Sequence, residues 1–347
     1  MPRKSTRQPG AHSTTGTGSQ PPPAGDADAG DPRGPGADIL ARIFGTGGEP
    51  DSGGPFRSGF VALVGRPNVG KSTLLNALVG EKVAIVSPRP QTTRRRILGI
   101  RTTDAAQAVF VDTPGVHRPR HDLGRYMVGV ARAAIPDADV VVWVVDAAHP
   151  PGDLDAQVAR WIRQAGRPTV VALNKSDRLK PEDIQARCDA YLGMVDAADW
   201  ILTIATRGHN LEALWSAIAR RLPEGAPFYP EDQLTDQTDR MLVTELVREA
   251  ALRHLGQEIP HGIEVSLEEW SRREDGFLRI AAKIFVEREG HKAIVIGRHG
   301  AMLKTIGTRA RHEIETLLGE RVFLELFVAV RPGWRRDAAD VKRMGYR

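Results

Sequence analysis

Gly65-Arg66-Pro67-Asn68-Val69-Gly70-Lys71-Ser72 fits the pattern G-x-x-x-x-G-K-[ST] in full. An apolar run at 60–64 precedes it and a helix-like stretch at 72–79 follows it, the context the pattern requires. The glycines let the backbone wrap closely around phosphate oxygens. Consecutive N–H groups and the positive end of the helix then face the anion. Lys71 places a point charge at the β- and γ-phosphates. The Ser72 hydroxyl offers Mg²⁺ the oxygen ligand it prefers.

Two further motifs lie outward from this one. Asp112-Thr113-Pro114-Gly115 comes directly after an apolar run at 108–111. A carboxylate at that strand end can hold Mg²⁺ through water, and the Gly115 N–H can approach a γ-phosphate. Asn174-Lys175-Ser176-Asp177 follows the run 169–173. The Asp177 carboxylate can accept from both N1–H and the 2-amino group of guanine; adenine offers neither. A site built this way rejects the wrong base by about 10⁴–10⁵. The Lys175 stem can cover the base face. Together the motifs point to a guanine nucleotide, GTP or GDP, held with Mg²⁺.

Short apolar runs at 60–64, 97–100, 108–111, 140–145, 169–173 and 200–204 alternate with helix-like stretches at 72–79, 125–135, 154–164, 184–192 and 211–221. Near-continuous Val and Ile runs are what strands buried on both faces look like. The alternation predicts a doubly wound, mainly parallel α/β domain over 58–225. Pro223, Pro227 and Pro230 break the pattern, so 226–235 is expected to be a linker. From 236 onward the texture is helix, strand, strand, helix, turn, helix, strand, a small α+β domain ending at 347.

Residues 1–57 hold 12 of the 35 glycines and 9 of the 24 prolines and almost no apolar clusters. Such a segment buries too little to offset its backbone entropy and is expected to be disordered, with a short docking helix at 37–44 as an alternative. The longest apolar run, 140–145, is far short of the about 20 residues that span a bilayer. The single Cys188 makes no internal disulfide, and no secretory signal is evident, so the expected setting is cytoplasmic. The net charge is +5, yet two acid-free cationic stretches stand out, Arg89 to Arg101 and Lys292 to Arg311. They point to an anionic partner.

The three motifs in this order, together with the tail, resemble the bacterial Era GTPase family, a P-loop GTPase domain joined to a type II KH domain. Supporting residues are Pro90-Gln91-Thr92-Thr93-Arg94, Tyr229-Pro230-Glu231-Asp232, Val295-Ile296-Gly297-Arg298-His299-Gly300, Gly333-Trp334 and Gly345-Tyr346. The resemblance runs from about Gly59 to the end of the chain. It implies GTP hydrolysis, with Lys71, Thr93 and Gly115 as catalytic residues and Ser72, Thr93 and Asp112 at the metal. Thr93 is then the switch I threonine, with Thr92 as the other candidate. Ala205 is expected to donate its N–H to guanine O6; the family usually has Ser-Ala here, whereas this chain has Ile204-Ala205. Val116 stands where a water-orienting glutamine is found in Ras-like proteins, so turnover is expected to be slow. Asn68 either holds K⁺ as a second cation or braces the loop.

The loop Gly297-Arg298-His299-Gly300 is G-x-x-G between two helical segments, which in KH domains clamps about four nucleotides of RNA. Lys292 and Lys304, with Arg309, add phosphate contacts that depend on salt. Ile296 either lines the RNA groove or packs in the core, and His299 is a solvated loop residue. Arg94-Arg95-Arg96, beside switch I, is either an RNA or ribosome contact exposed in one nucleotide state or a solvated strand edge; Trp334-Arg335-Arg336 either meets RNA or packs as a tail. By resemblance, the RNA is the 3′ region of 16S ribosomal RNA and the process is 30S subunit assembly and rRNA maturation, carried out by a monomer. The resemblance also implies peripheral association with the inner face of the cell membrane, although no lipidation motif or strong amphipathic anchor is evident.

Overall fold

A computed structural model describes residues 54–256, 259 and 262–346. The expectations for 1–53, including the helix at 37–44, lie outside the described residues. The first domain begins with β1 (Arg57–Val64), α1 (Lys71–Val79), β2 (Ile97–Thr102) and β3 (Ala106–Asp112). Then follow α2 (Asp122–Asp137), β4 (Val140–Asp146), α3 (Asp153–Ala165), β5 (Thr169–Asn174), α4 (Ile184–Leu192), β6 (Asp199–Thr203) and α5 (Leu211–Ala219). The strands form one sheet in the order β2-β3-β1-β4-β5-β6. Only the β2–β3 pair is antiparallel.

Alternation along β1 shows why two helical layers are needed. Val61 and Leu63 pack with α1 and α5, through Leu74, Leu75, Trp215 and Ile218. Ala62 and Val64 face the other side, against α2, α3 and α4 through Ile135, Val158, Ile162 and Tyr191. A sheet buried on both faces carries no polar side, which is the pattern visible in the sequence. Cys188 lies in the second layer, 1 % exposed. Burial pushes its thiol up to about 11, so it behaves as a small apolar residue.

The chain between the domains is not a free tether. Gln107 Oε1 accepts from the N–H groups of Phe228 and Tyr229, and the Ile100 N–H donates to the Leu234 carbonyl. Residues 226–235 therefore run along the β2–β3 edge. Beyond them come α6 (Asp239–His254), β7 (Glu264–Arg272), β8 (Leu278–Val286), α7 (Glu289–Ile296), α8 (Ala301–Leu318) and β9 (Val322–Val330). The strands form a second sheet, β7-β8-β9, with β8 and β9 parallel. β7 runs five residues past the expected 265–267, through a bulge at Leu267/Glu269. Its charged outward positions hide it from an apolar-run reading.

The end of the chain folds back. A short α9 (Ala338–Arg343) and the turn before it bring Trp334, Val341 and Tyr346 onto Leu123 and Met127 of α2. Trp334 is fully buried and donates to the Gly262 carbonyl at 3.0 Å. Removing such a side chain costs about 3–5 kcal/mol. Of the two readings of Trp334-Arg335-Arg336, the packed tail is the one observed for Trp334.

His121 caps α2, its Nδ1 accepting from the Gly124 N–H at 2.9 Å. Burial, with Arg335 nearby, pushes this imidazole down to about 4. The folded chain thus keeps it neutral, as an acceptor must be. The unfolded chain takes up the proton near 6.5, so this group's contribution to stability is present above that value and lost as pH falls toward 4. We expect urea midpoints to fall between pH 7 and pH 5, and His121→Asn, which keeps the cap without the titration, to flatten that fall. An unchanged pH slope in the variant removes the assignment.

Candidate functional site

Parallel strands deliver their C-terminal ends to one edge of the sheet, and all three motifs sit there. β1 feeds the loop at Gly65, β3 ends on Asp112 and β5 ends on Asn174. At the mouth of α1, Gly70 has φ 103°, a conformation open to glycine, and a Cβ there would stand 2.3 Å from Asn174 Nδ2. The loop therefore packs directly on the base-reading motif.

Three oxygens converge beside the cradle. Ser72 Oγ lies 2.6 Å from Asp112 Oδ2 and 2.8 Å from Thr93 Oγ1, and Thr93 Oγ1 lies 3.1 Å from the same carboxylate. Asp112 is fully buried and its Oδ1 has no hydrogen-bond partner. Burial pushes its carboxyl above the usual range, opposed by Lys71 and the two hydroxyls. An orphaned buried carboxylate oxygen next to two hydroxyls fits a hard divalent cation that takes oxygen ligands and keeps water. Lys71 Nζ, meanwhile, donates to the carbonyls of Gly65 and Arg66, at 3.3 and 3.0 Å. Burial pushes this ammonium down to about 8, against the pull of Asp112. Phosphate oxygens in the loop would reverse that burial cost by pairing with the charge.

Switch I closes over the cradle. Thr93 is buried and lines a partly open cleft together with Asn68, Gly70, Lys71, Ser87 and Gly115. Thr92, the other candidate, turns its hydroxyl to the Arg89 carbonyl instead. Asn68 donates through Nδ2 to Pro88 at 3.2 Å, a loop-bracing contact. Thr113 donates to the Leu63 carbonyl, tying β3 to β1 rather than meeting solvent. Val116 is fully buried in the second helical layer, so the side chain after Gly115 faces the core.

Asn174 joins the two ends of the nucleotide cleft. Its Nδ2 donates to the Val69 carbonyl at 2.8 Å, and its Oδ1 accepts from the Ala205 N–H at 3.0 Å. The N–H expected on guanine O6 is thus already engaged, and a base must share it. Lys175 pairs with Asp146 at 2.7 Å and reaches the Asn68 carbonyl, so its stem lies across the cleft. Ser176 donates to the Thr203 carbonyl, and Asp177 is exposed, with Arg207 4.0 Å from its carboxylate.

In the C-terminal domain, α7 and α8 meet at Gly297–Gly300. Gly297 has φ 71°, and a Cβ there would stand 2.7 Å from Met302 Cβ. Arg298, His299 and Lys304 are exposed, while Lys292 and Ile296 are half-buried. Beside the loop runs an open groove of about 380 Å³, lined by Leu303, Lys304, Gly307, Thr308, Arg311, Leu324 and Leu326. Neither Ile296 nor Ile306 is part of that lining; Ile306 is core. Reading the sequence missed Leu324 and Leu326, because a strand's groove-facing residues look like any core pair. Arg309, expected at phosphate, pairs with Glu313 at 2.5 Å.

The other cationic stretch is largely consumed inside the molecule. Arg94 is 3 % exposed and reaches Glu264 at 2.9 Å. Arg95 lies over the Tyr346 ring, 4.6 Å from its centroid. Arg101 pairs with Glu212, and Arg89 donates to the Leu255 carbonyl. Of Arg94-Arg95-Arg96, Arg94 is buried, Arg95 half-buried and Arg96 exposed, so a solvated edge does not describe Arg94.

This fold and site define a P-loop GTPase domain carried on the same chain as a KH domain. Residues 60–175 match the 50S ribosome-binding GTPase family, and 258–335 match the KH domain family. GTPase Era of Caldicellulosiruptor saccharolyticus is 44 % identical over 293 residues, 84 % of this chain and 98 % of that one. GTPase Era of Lacticaseibacillus paracasei is 44 % identical over 289 residues, 83 % of this chain and 96 % of that one. An Aquifex aeolicus Era variant bound to GDP·AlF₄⁻ superposes with a TM-score of 0.81 at 39 % identity, covering 84 % of this chain and 99 % of that one. Era in complex with MgGDPNP and nucleotides 1506–1542 of 16S ribosomal RNA gives the same values. The chain belongs to the Era GTPase family.

Gly115 approaches the loop so closely that a Cβ would stand 2.6 Å from Pro67 Cα and 2.7 Å from Pro67 N. We expect Gly115→Ala to displace this turn, and GTP hydrolysis to fall at least about tenfold as an oriented donor is lost. Single-turnover assays beside GDP titration check this; wild-type rates dismiss the role of Gly115.

Proposed function

We propose that this chain binds and hydrolyses GTP with Mg²⁺ and uses the nucleotide state to control binding of the 3′ region of 16S ribosomal RNA, in assembly of the 30S subunit. The observation that supports this best is the convergence of Ser72, Thr93 and Asp112, with Thr93 on a loop that also touches the RNA-binding domain. The functional division follows: 58–225 for nucleotide, 226–235 as connection, 236–347 for RNA.

In this reading, residues 65–72 wrap the phosphates and Lys71 supplies the counter-charge. Asp177 reads the base, over which Lys175 lies, while Ser176 and Asn174 hold that loop in place. Ser72, Thr93 and Asp112 would hold Mg²⁺, which would supply positive charge beside the transferred phosphoryl group. The Gly115 N–H donates to the γ-phosphate, and water attacks phosphorus to release GDP and phosphate. Buried Val116 offers no polar group to that water, so turnover is slow and acts as a timer. Asn68 would hold K⁺ as a second cation only in exchange for its contact to Pro88. RNA lies along the groove beside Gly297–Gly300, with Arg298, Lys292 and Lys304 at phosphates and Leu303, Leu324 and Leu326 beneath bases.

Calorimetry with Mg²⁺ is expected to show GTP and GDP uptake and no ATP uptake. RNA carrying the 16S 3′ end is expected to bind more tightly with a GTP analogue than with GDP. Equal affinities discard the coupling, and ATP uptake matching GTP discards the nucleotide reading. Among the described residues no helix is long and apolar enough to cross a membrane. Residence on the 30S subunit and peripheral attachment to the membrane are read by co-sedimentation with subunits and with anionic vesicles; the first is expected.

A further inference from the structure

Resting on that reading, the geometry points to Arg248 and Glu264, both in the RNA-binding domain, as positioning residues for GTP hydrolysis. They hold the residues on either side of Thr93, Arg248 by the Thr92 carbonyl and Glu264 by the Arg94 side chain. Arg248 Nη2 donates to the Thr92 carbonyl at 2.7 Å. On the far side, Arg94 Nη1 donates to the Glu264 carboxylate at 2.9 Å and to the Ile263 carbonyl at 2.5 Å. Thr93 stands between these two anchors, with its hydroxyl on Ser72 and Asp112.

The anchors are themselves fixed. Arg248 is 1 % exposed and pairs with Glu245 on its own helix. Glu264 is 3 % exposed, accepts from the Tyr346 hydroxyl and lies 3.8 Å from Arg95. Arg95 also donates to the Met344 carbonyl at 2.6 Å. Ile85, at the start of the same loop, is buried in the core of the RNA-binding domain. Withdrawing Thr93 from the site therefore either separates buried charges or carries the second domain along. Separating a buried pair is costly, because each charge is left without its partner. A loop held at both flanks presents its hydroxyl without a further ordering step, which is how a positioning shell acts.

Residues 65–72 and 174–177, which in this reading hold GDP as well as GTP, make no hydrogen bond or ion pair with Arg248 or Glu264. That separation makes the role testable in the full chain. For Arg248→Ala we expect GDP affinity within about twofold of the parent, a GTP-analogue affinity about tenfold weaker and kcat at least about tenfold lower. The Mg²⁺ midpoint for analogue binding rises. Arg248→Lys, which keeps one donor, recovers part of the loss. If Arg248→Ala does not fold, Glu264→Gln carries the same comparison, since it keeps shape and removes charge. Parallel losses of GDP and analogue affinity, or unchanged kcat in folded variants, overturn the positioning role while leaving the GTPase reading intact. A parent chain that takes up neither nucleotide overturns that reading and this inference together.

Discussion

A single buried carboxylate organises the nucleotide end of this molecule. Asp112 closes a fully buried strand and receives the hydroxyls of Ser72 and Thr93 on one oxygen, leaving the other without a partner. A charge in that place is expensive unless something positive shares it. Lys71 supplies part of the compensation, and a divalent cation supplies the rest when present. Because Thr93 belongs to a loop rather than to the sheet, the same carboxylate also ties that loop to the strand end.

Where that loop goes, the second domain is involved. Its two flanks end on Arg248 and Glu264, its start lies in the second domain's core, and its arginines reach the C-terminal tail. The tail in turn packs on α2, which follows the Asp112 motif in sequence. The loop carrying Thr93 and the helix after the Asp112 motif therefore both meet the C-terminal part of the chain through buried contacts. Buried packing tends to have discrete arrangements rather than a continuum, which suits a two-state device.

The charge distribution shows how far a sequence can mislead. Two cationic stretches look alike on paper. One, around Gly297–Gly300, presents Arg298 and Lys304 to solvent beside an open groove. The other is spent on Glu264, Glu212, Leu255 and the Tyr346 ring. Only partners distant in sequence separate a binding face from an internal clamp.

Much of the fold was legible in the residues alone. Buried strands advertise themselves as Val and Ile runs, and a phosphate cradle needs glycines, a lysine and a hydroxyl at fixed spacing whatever surrounds it. Those requirements are local, so Gly65 to Ser72, Asp112 to Gly115 and Asn174 to Asp177 stood out. The partners of Arg94 and Arg248, the engagement of the Ala205 N–H by Asn174, and the groove floor of Leu324 and Leu326 are contacts between remote segments. No local spacing encodes them, and packing alone decided which polar groups would face one another.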